Sequence, residues 1–386
     1  MKIAFFGTPE FAWNILSWIL SLNPSTLSQV RDSRAGTRSL TCPGEGGSFI
    51  DVKLVVSQPD KLVGRKRELK PTPVKQIALN ADIEVLQPVS LRNPPLSDYN
   101  SVPLNKGEPW TQWNRGIVEV LKNLNLDFIV VVAYGKIIPQ AILDIPKHWC
   151  INIHGSILPD YRWASPVQAA VKDGLTETWL TTMYMSKGMD EWDMLKIGKV
   201  VIDKDDTSED VFQNFVEIWP ELLVSTLKEI MSWDLKWIPQ DHSKATYCGK
   251  ISREDGEVSF TQQSSSEIYN TYRAYIPWPG IYTWYEGKRL VLEEVSLYNP
   301  PLSDNSSVPL NKGEHWTQWN GGIDPETQNW ERCLWEFIKL SKNTYGILCA
   351  DKKILEIHRV KLEGKKSMDI QSFVNGNKEI VWYKFM

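Results

Sequence analysis

The residue types best suited to chemistry are concentrated in one run, Cys150-Ile-Asn-Ile-His-Gly-Ser-Ile-Leu-Pro159. Asn152 and His154 are two apart, so on a strand both side chains stand on the same face. One of them can donate a hydrogen bond to a carbonyl oxygen while the other handles a proton. Gly188-Met189-Asp190 supplies a candidate carboxylate 36 residues after His154. Each residue also has a structural reading: an Asn and a His on one strand face commonly serve packing, and an aspartate after glycine commonly serves a turn. The five histidines show no H-x-x-x-H or similar ligand spacing, so no metal is expected.

These residues need a strand whose carboxyl end opens into a site, and the first part of the chain has that grammar. Lys2–Phe6, Val52–Ser57, Phe128–Ala133 and Cys150–Ile153 are short apolar runs of the buried-strand type. Phe11–Leu20, Pro73–Leu79 and Pro166–Val171 are helical candidates between them. The order predicts an α/β, Rossmann-like domain with a mostly parallel sheet and active residues at strand carboxyl ends. Gly7-Thr8-Pro9-Glu10-Phe11 occupies the place of a G-x-G-x-x-G turn but lacks its second and third glycines, which argues against a dinucleotide cofactor. Ser208–Trp233 reads as a long amphipathic helix opened by Asp206-Thr207-Ser208-Glu209. A polar linker follows over 234–249. From Lys250 onward strand-like segments dominate (Val258–Phe260, Arg289–Leu297, Tyr345–Ala350, Ile354–Leu362), which predicts a small OB-like β-barrel. The expected organisation is therefore a catalytic domain over 1–233, a linker over 234–249 and a barrel over 250–386.

Three segments interrupt this plan. Val89–Ile117 and Val295–Ile323 are identical at 24 of 29 positions, at an offset of 206. Copies so far apart cannot stack as a solenoid, and their Pro, Asn, Ser and Gly content predicts exposed loops at about 93–117 and 299–323. They resemble the palindromic repeat insertions found within reading frames of some intracellular bacteria. The Gly/Ser/Arg-rich stretch at about 25–49 reads as a third insertion, and surface loops tolerate such lengths because closure cost grows only logarithmically.

Composition narrows the class. The chain has 386 residues, 42% hydrophobic and 23% charged, values ordinary for a globular protein of two domains. No apolar run approaches ~20 residues, so no membrane span is expected. The start MKIAFFGTPEF is too short in its apolar part for a signal peptide and reads as a first strand. Five cysteines without a C-x-x-C pair make a poor disulfide framework, which makes the cytoplasm the expected location. A net charge of −4 does not announce a nucleic-acid partner, so any such partner must be met by local patches. Two patches exist. Six basic residues (Lys61, Arg65, Lys66, Arg67, Lys70, Lys75) face two acids between Ser57 and Lys75, and the last 48 residues hold ten Lys/Arg against five Asp/Glu.

Read together and in order, FFGTPEFA, SQPDKLVGRKRELKPTPVK, VVVAYGKIIP, INIHGSILPDYR, MSKGMD, KATYCGKIS, PWPG and VKLEGKKSMDIQSF resemble the methionyl-tRNA formyltransferase family. The resemblance covers the chain outside the insertions. It implies transfer of a formyl group from 10-formyltetrahydrofolate to the α-amino group of methionine on initiator tRNA, by a monomer. It places Asn152, His154 and Asp190 on the catalytic triad, with Asn152 holding the formyl oxygen, His154 taking or relaying the amine proton, and Asp190 orienting the imidazole. Ser156, Ile157, Leu158 and Pro159 would line the tetrahydrofolate site. Lys61, Arg65, Lys66 and Arg67 would enter the tRNA acceptor stem, with Arg65 on the family's key arginine. Related folate-dependent formyltransferases of amino-sugar nucleotides or glycinamide ribonucleotide share the Asn-x-His…Asp core, whereas the basic loop and the LEGKK segment favour tRNA.

The chain departs from the family in its 18 tryptophans. Trp163, Trp179 and Trp192 fall where the family carries glycine, and Trp149, Trp219 and Trp233 look like further cases. Glycine at such points commonly serves positive φ or a close backbone approach. A bulky ring at Trp163 or Trp192 would obstruct the folate pocket, which leaves a catalytically impaired, tRNA-binding chain as an alternative reading.

Overall fold

The computed structural model describes residues 1–22, 50–63, 67–91, 110–299, 337–341, 344–378 and 380. The insertion expected at 25–49, and all of those at 93–117 and 299–323 except 110–117 and 299, lie outside these residues. So do Arg65 and Lys66. The chain divides into two compact units: Met1–Pro166 with Glu177–Val201 and Val211–Gly249, and Val167–Thr176 with Ile202–Asp210 and Lys250–Met386.

The first unit begins with β1 (Lys2–Gly7), α1 (Glu10–Ser21) and β2 (Asp51–Val56), then a hairpin of β3 (Lys61–Val63) and β4 (Glu68–Lys70). α2 (Pro73–Asn80) starts where Thr72 caps the Lys75 amide and Pro73 presets the first turn. β5 (Val85–Leu86), α3 (Trp110–Asn123), β6 (Phe128–Val132), α4 (Gln140–Leu143), β7 (Cys150–His154) and β8 (Arg162–Trp163) follow. After α5 (Pro166–Lys172), which belongs to the second unit from Val167 onward, come β9 (Glu177–Tyr184), β10 (Met194–Val201), α6 (Ser208–Ser232), whose first turn also falls in the second unit, and β11 (Tyr247–Cys248). One seven-stranded sheet runs in the order β10-β9-β7-β6-β1-β2-β5. β7 through β5 are parallel, and β9 and β10 extend the edge antiparallel. The buried apolar strands β1 and β6 sit at its centre, as continuous hydrophobic runs should. Gly7 ends β1 for a steric reason: a Cβ there would lie 2.7 Å from the Phe5 ring and 2.8 Å from Ala12, so its small size lets α1 pack on the strand.

Three expectations need adjustment in this unit. Residues 110–117, read as the end of a loop insertion, form the first turns of α3, whose Ile117 and Leu121 are buried in the core with Leu126 and Ile129. Burial of that apolar face outweighs the turn-like composition before it. The antiparallel edge pair was not read from the sequence. The segment 234–249, read as a linker, belongs to the first unit, since Ile238 bridges Met194 and β11 pairs in parallel with β8.

The second unit contains α7 (Ser265–Tyr275), β12 (Ile281–Tyr285), β13 (Lys288–Leu297), β14 (Phe337–Lys339), β15 (Tyr345–Leu348), β16 (Ile354–Leu362), β17 (Met368–Asp369) and α8 (Ile370–Gly376). Its antiparallel sheet runs β12-β13-β16-β15-β14, with β17 on β16. Register breaks in β13 at Leu292–Val295 bend the ladder in the manner of a half-barrel. Ile268, Leu292, Phe337, Leu355 and Phe373 share its buried interior. The strand expected at Val258–Phe260 is absent: Glu257 alone bridges Tyr282, and the chain turns at Phe260.

Candidate active site

β7 is buried, and its alternation places Asn152 and His154 on one face at the carboxyl end. The loop between β9 and β10 brings Asp190 to them. Asn152 Nδ2 donates to Asp190 Oδ1 at 3.4 Å. His154, 5% exposed, has Nδ1 3.7 Å from Asp190 Oδ2, an ion-pair separation rather than a hydrogen bond. The sequence-predicted triad is thus assembled as one cluster.

The histidine's tautomer follows from its second partner. His154 Nε2 lies 2.9 Å from the Tyr161 carbonyl, which can only accept, so Nε2 carries the proton. In the neutral ring Nδ1 is then the nitrogen without a hydrogen, and it faces Asp190. Asp190 is itself fixed by the Trp163 amide, which donates to Oδ2 at 3.0 Å. Tyr161 was not expected at the site, and Trp163 was expected there only as a ring that obstructs the folate pocket. Their contribution is through main-chain atoms, which leave no side-chain signature in a sequence. Cys150, on the same strand, is not a competing nucleophile: burial, with a smaller push from Asp144, raises its thiol far above the thiolate range.

The Ser156–Pro159 run has mixed exposure. Ser156 is buried and donates to the Asp160 carbonyl at 2.6 Å, while its own carbonyl accepts from Thr181 Oγ1 at 2.6 Å. Leu158 packs with Met183 and Met194 and is 1% exposed. Ile157 and Pro159 are half-buried. The geometry therefore gives Ser156 and Leu158 the shape-holding part and leaves Ile157 and Pro159 accessible. On the β3–β4 hairpin, Lys61 and Arg67 are exposed, with Arg67 at φ 51°.

The tryptophans divide sharply. Trp149, Trp163 and Trp233 adopt φ of 82°, 89° and 61°, the left-handed region that favours glycine. Trp233 sits at the C′ position of a Schellman ending on α6, where the Asp234 amide bonds to the Glu229 carbonyl at 3.1 Å and the Trp233 amide to Ile230 at 3.2 Å. Trp179, Trp192 and Trp219 are not among the positive-φ residues. Trp219 is fully buried against Trp18. Trp163 and Trp192, on either side of Asp190, are 45% and 49% exposed.

Comparison with known proteins places the chain in a family. A family model described as formyl transferase matches residues 36–227, and one described as formyl transferase, C-terminal domain, matches residues 250–378. A methionyl-tRNA formyltransferase of Caldicellulosiruptor saccharolyticus is 35% identical over 98% of this chain and 97% of its own length. That of Listeria monocytogenes is 31% identical over 97% of this chain and 95% of its own. The chain belongs to the methionyl-tRNA formyltransferase family. Among solved structures, the sugar 3N-formyl transferase WlaRD, crystallised with dTDP and 5-N-formyl-THF, shares the fold at a TM-score of 0.52 and 15% identity, covering 95% of this chain and 99% of its own. An N-formyltransferase from Helicobacter canadensis gives 0.51 and 14%, covering 92% and 98%.

Proposed function

We propose that the chain transfers the formyl group of 10-formyltetrahydrofolate to the α-amino group of methionyl initiator tRNA, in the cytoplasm and as a monomer. The observation that carries this reading is the convergence of Asn152, His154 and Asp190 at the carboxyl end of β7. The attacking amine forms a bond to the formyl carbon while the Asn152 amide holds the oxygen as charge develops on it. His154 takes the amine proton at Nδ1, the nitrogen not engaged by Tyr161, and the resulting imidazolium lies beside Asp190. The carbon–nitrogen bond to the folate then breaks, and that proton passes to the departing folate nitrogen. The amine is itself the nucleophile, so no acyl-enzyme is required.

Ile157 and Pro159 would offer the folate an apolar edge, with the Ser156 and Leu158 region shaping the turn. Lys61, Arg65, Lys66 and Arg67 would meet the phosphates of the acceptor stem. In the second unit the exposed Lys361, Lys365 and Lys366 add positive charge for nucleic acid. Arg359 is partly committed to Glu294, at 3.8 Å. Formyl transfer measured side by side on methionyl initiator tRNA and on a dTDP-linked amino sugar tests the substrate assignment. Formylation of the tRNA alone is expected, and preferential formylation of the amino sugar would overturn it.

A further inference from the structure

A buried arginine lies behind the candidate site without an acidic partner. Arg162 is 2% exposed, and none of the ion pairs among the described residues includes it. Its guanidinium is met by side chains that carry no negative charge. Nε and Nη2 donate to the Gln240 side-chain oxygen at 3.2 and 2.6 Å, Nη2 reaches His242 Nδ1 at 3.0 Å, and Nη1 reaches the Tyr247 hydroxyl at 3.4 Å. A guanidinium is donor-only, so it fixes which end of the Gln240 amide faces it. The Gln240 nitrogen is thereby turned the other way, toward the Asp190 carbonyl at 3.0 Å and the Trp192 carbonyl. Gln240 is 7% exposed, so these bonds form away from solvent.

The loop held this way needs holding. Asp190 sits at φ 51°, a conformation that a non-glycine residue keeps only when its surroundings over-determine it. Arg162, through Gln240, and Trp163 supply that determination, and the preceding Tyr161 holds the histidine that Asp190 faces. The Tyr161 carbonyl fixes His154, Arg162 fixes the Asp190 main chain through Gln240, and the Trp163 amide fixes the Asp190 carboxylate. The Ile238–Met194 bridge, with amide bonds of 2.9 Å in both directions, brings Gln240 to the loop. We infer that Gln240, oriented by the buried Arg162, is a positioning residue that clamps the Asp190 loop and so sets the carboxylate relative to His154. The inference rests on the formyl-transfer reading of the site.

Gln240→Glu isolates the clamp. It retains the oxygen that Arg162 engages but replaces the donor with a second oxygen facing two carbonyls. The expected result is a folded protein whose kcat for formyl transfer falls about 10²-fold, as a displacement near 1 Å can produce, with KM for methionyl-tRNA unchanged. The Trp163 amide resonance and the His154 ring-nitrogen shifts should move with it in ¹⁵N NMR spectra of the full chain. If the parent transfers no formyl group at all, the NMR readout alone decides: moved signals keep the clamp while the functional reading fails. Unmoved signals, or an active parent with Gln240→Glu within twofold of it, overturn the clamp. Should Gln240→Glu not fold, Gln240→Met, of similar length and without the donor, is subjected to the same readouts.

Discussion

Replacing Asp190 by asparagine leaves the side-chain shape almost unchanged and removes one negative charge 3.7 Å from His154 Nδ1. In the proposed reaction that charge matters most once His154 has taken the amine proton. At an effective dielectric of about 20, two unit charges at this separation interact by about 4.5 kcal/mol. Both side chains are well shielded, at 6% and 18% exposure, so bulk screening is limited. The carboxamide also cannot satisfy its neighbours: Asn152 Nδ2 and the Trp163 amide both donate to Asp190, and one would then meet an NH₂ group. The expected loss in the rate of the chemical step is therefore roughly 10³-fold, since each 1.36 kcal/mol is tenfold. Single-turnover formyl transfer at saturating folate and methionyl-tRNA measures that step directly, and the melting temperature should stay within a few degrees of the parent. An Asp190→Asn protein that retains a tenth or more of the parental rate would refute the electrostatic role.

Other perturbations report on the scaffold. Leu158→Ala empties a site packed by Met183 and Met194 and should destabilise by about 3 kcal/mol, read as a clear drop in denaturant midpoint at unchanged m-value. At position 233, in the Schellman ending of α6, glycine should be more stable than alanine by about 1 kcal/mol, the reverse of the usual helix order. An alanine variant equal to the glycine variant would remove the strain argument. Asp60 supplies a pH test. Burial, the largest influence on it, pushes its carboxyl up, but hydrogen bonds from Gln87 at 2.7 Å and Lys75 at 2.6 Å, with the Lys75 charge, bring it below the ordinary 3.8. A depressed carboxylate stabilises the fold at neutral pH and loses that contribution as pH falls below about 4. Asp60→Asn should therefore lower the melting temperature at pH 7, and that deficit should shrink progressively as the pH is taken below about 4.

The parallel core was legible because β1 and β6 are uninterrupted apolar runs, buried on both faces, and because β7 carries its polar pair at the expected alternation. The antiparallel strand β9, paired between β10 and β7, was not, since Glu177–Tyr184 mixes threonines with apolar residues. Thr181 and Thr182 are buried only because the Ser156 carbonyl and Thr226 satisfy their hydroxyls. α7 had a usable signal in Ser264 and Glu267, which form a reciprocal capping box. Val258–Phe260 shows the opposite error, a β-like run whose Val258 and Phe260 are buried on irregular chain. In the candidate site, side-chain members were visible and main-chain members were not. The Tyr161 carbonyl and Trp163 amide act whatever side chain they carry. Gln240 lay in a segment whose polar composition reads as solvent-exposed. The positive φ values at Trp149, Trp163 and Trp233 mark positions whose backbone favours glycine, and nothing in the structure explains why tryptophan stands there.

In the proposed reaction His154, held by Tyr161 and facing Asp190, would move the proton in formyl transfer to methionyl initiator tRNA. The most direct test compares the parent with His154→Ala in single-turnover formylation by 10-formyltetrahydrofolate, with tRNA binding measured on the same samples. Formylmethionyl-tRNA is expected from the parent, with a loss of at least about 10²-fold in the variant and unchanged tRNA affinity. Equal rates in the two proteins, or a parent that binds the tRNA and transfers nothing, would contradict that role for His154.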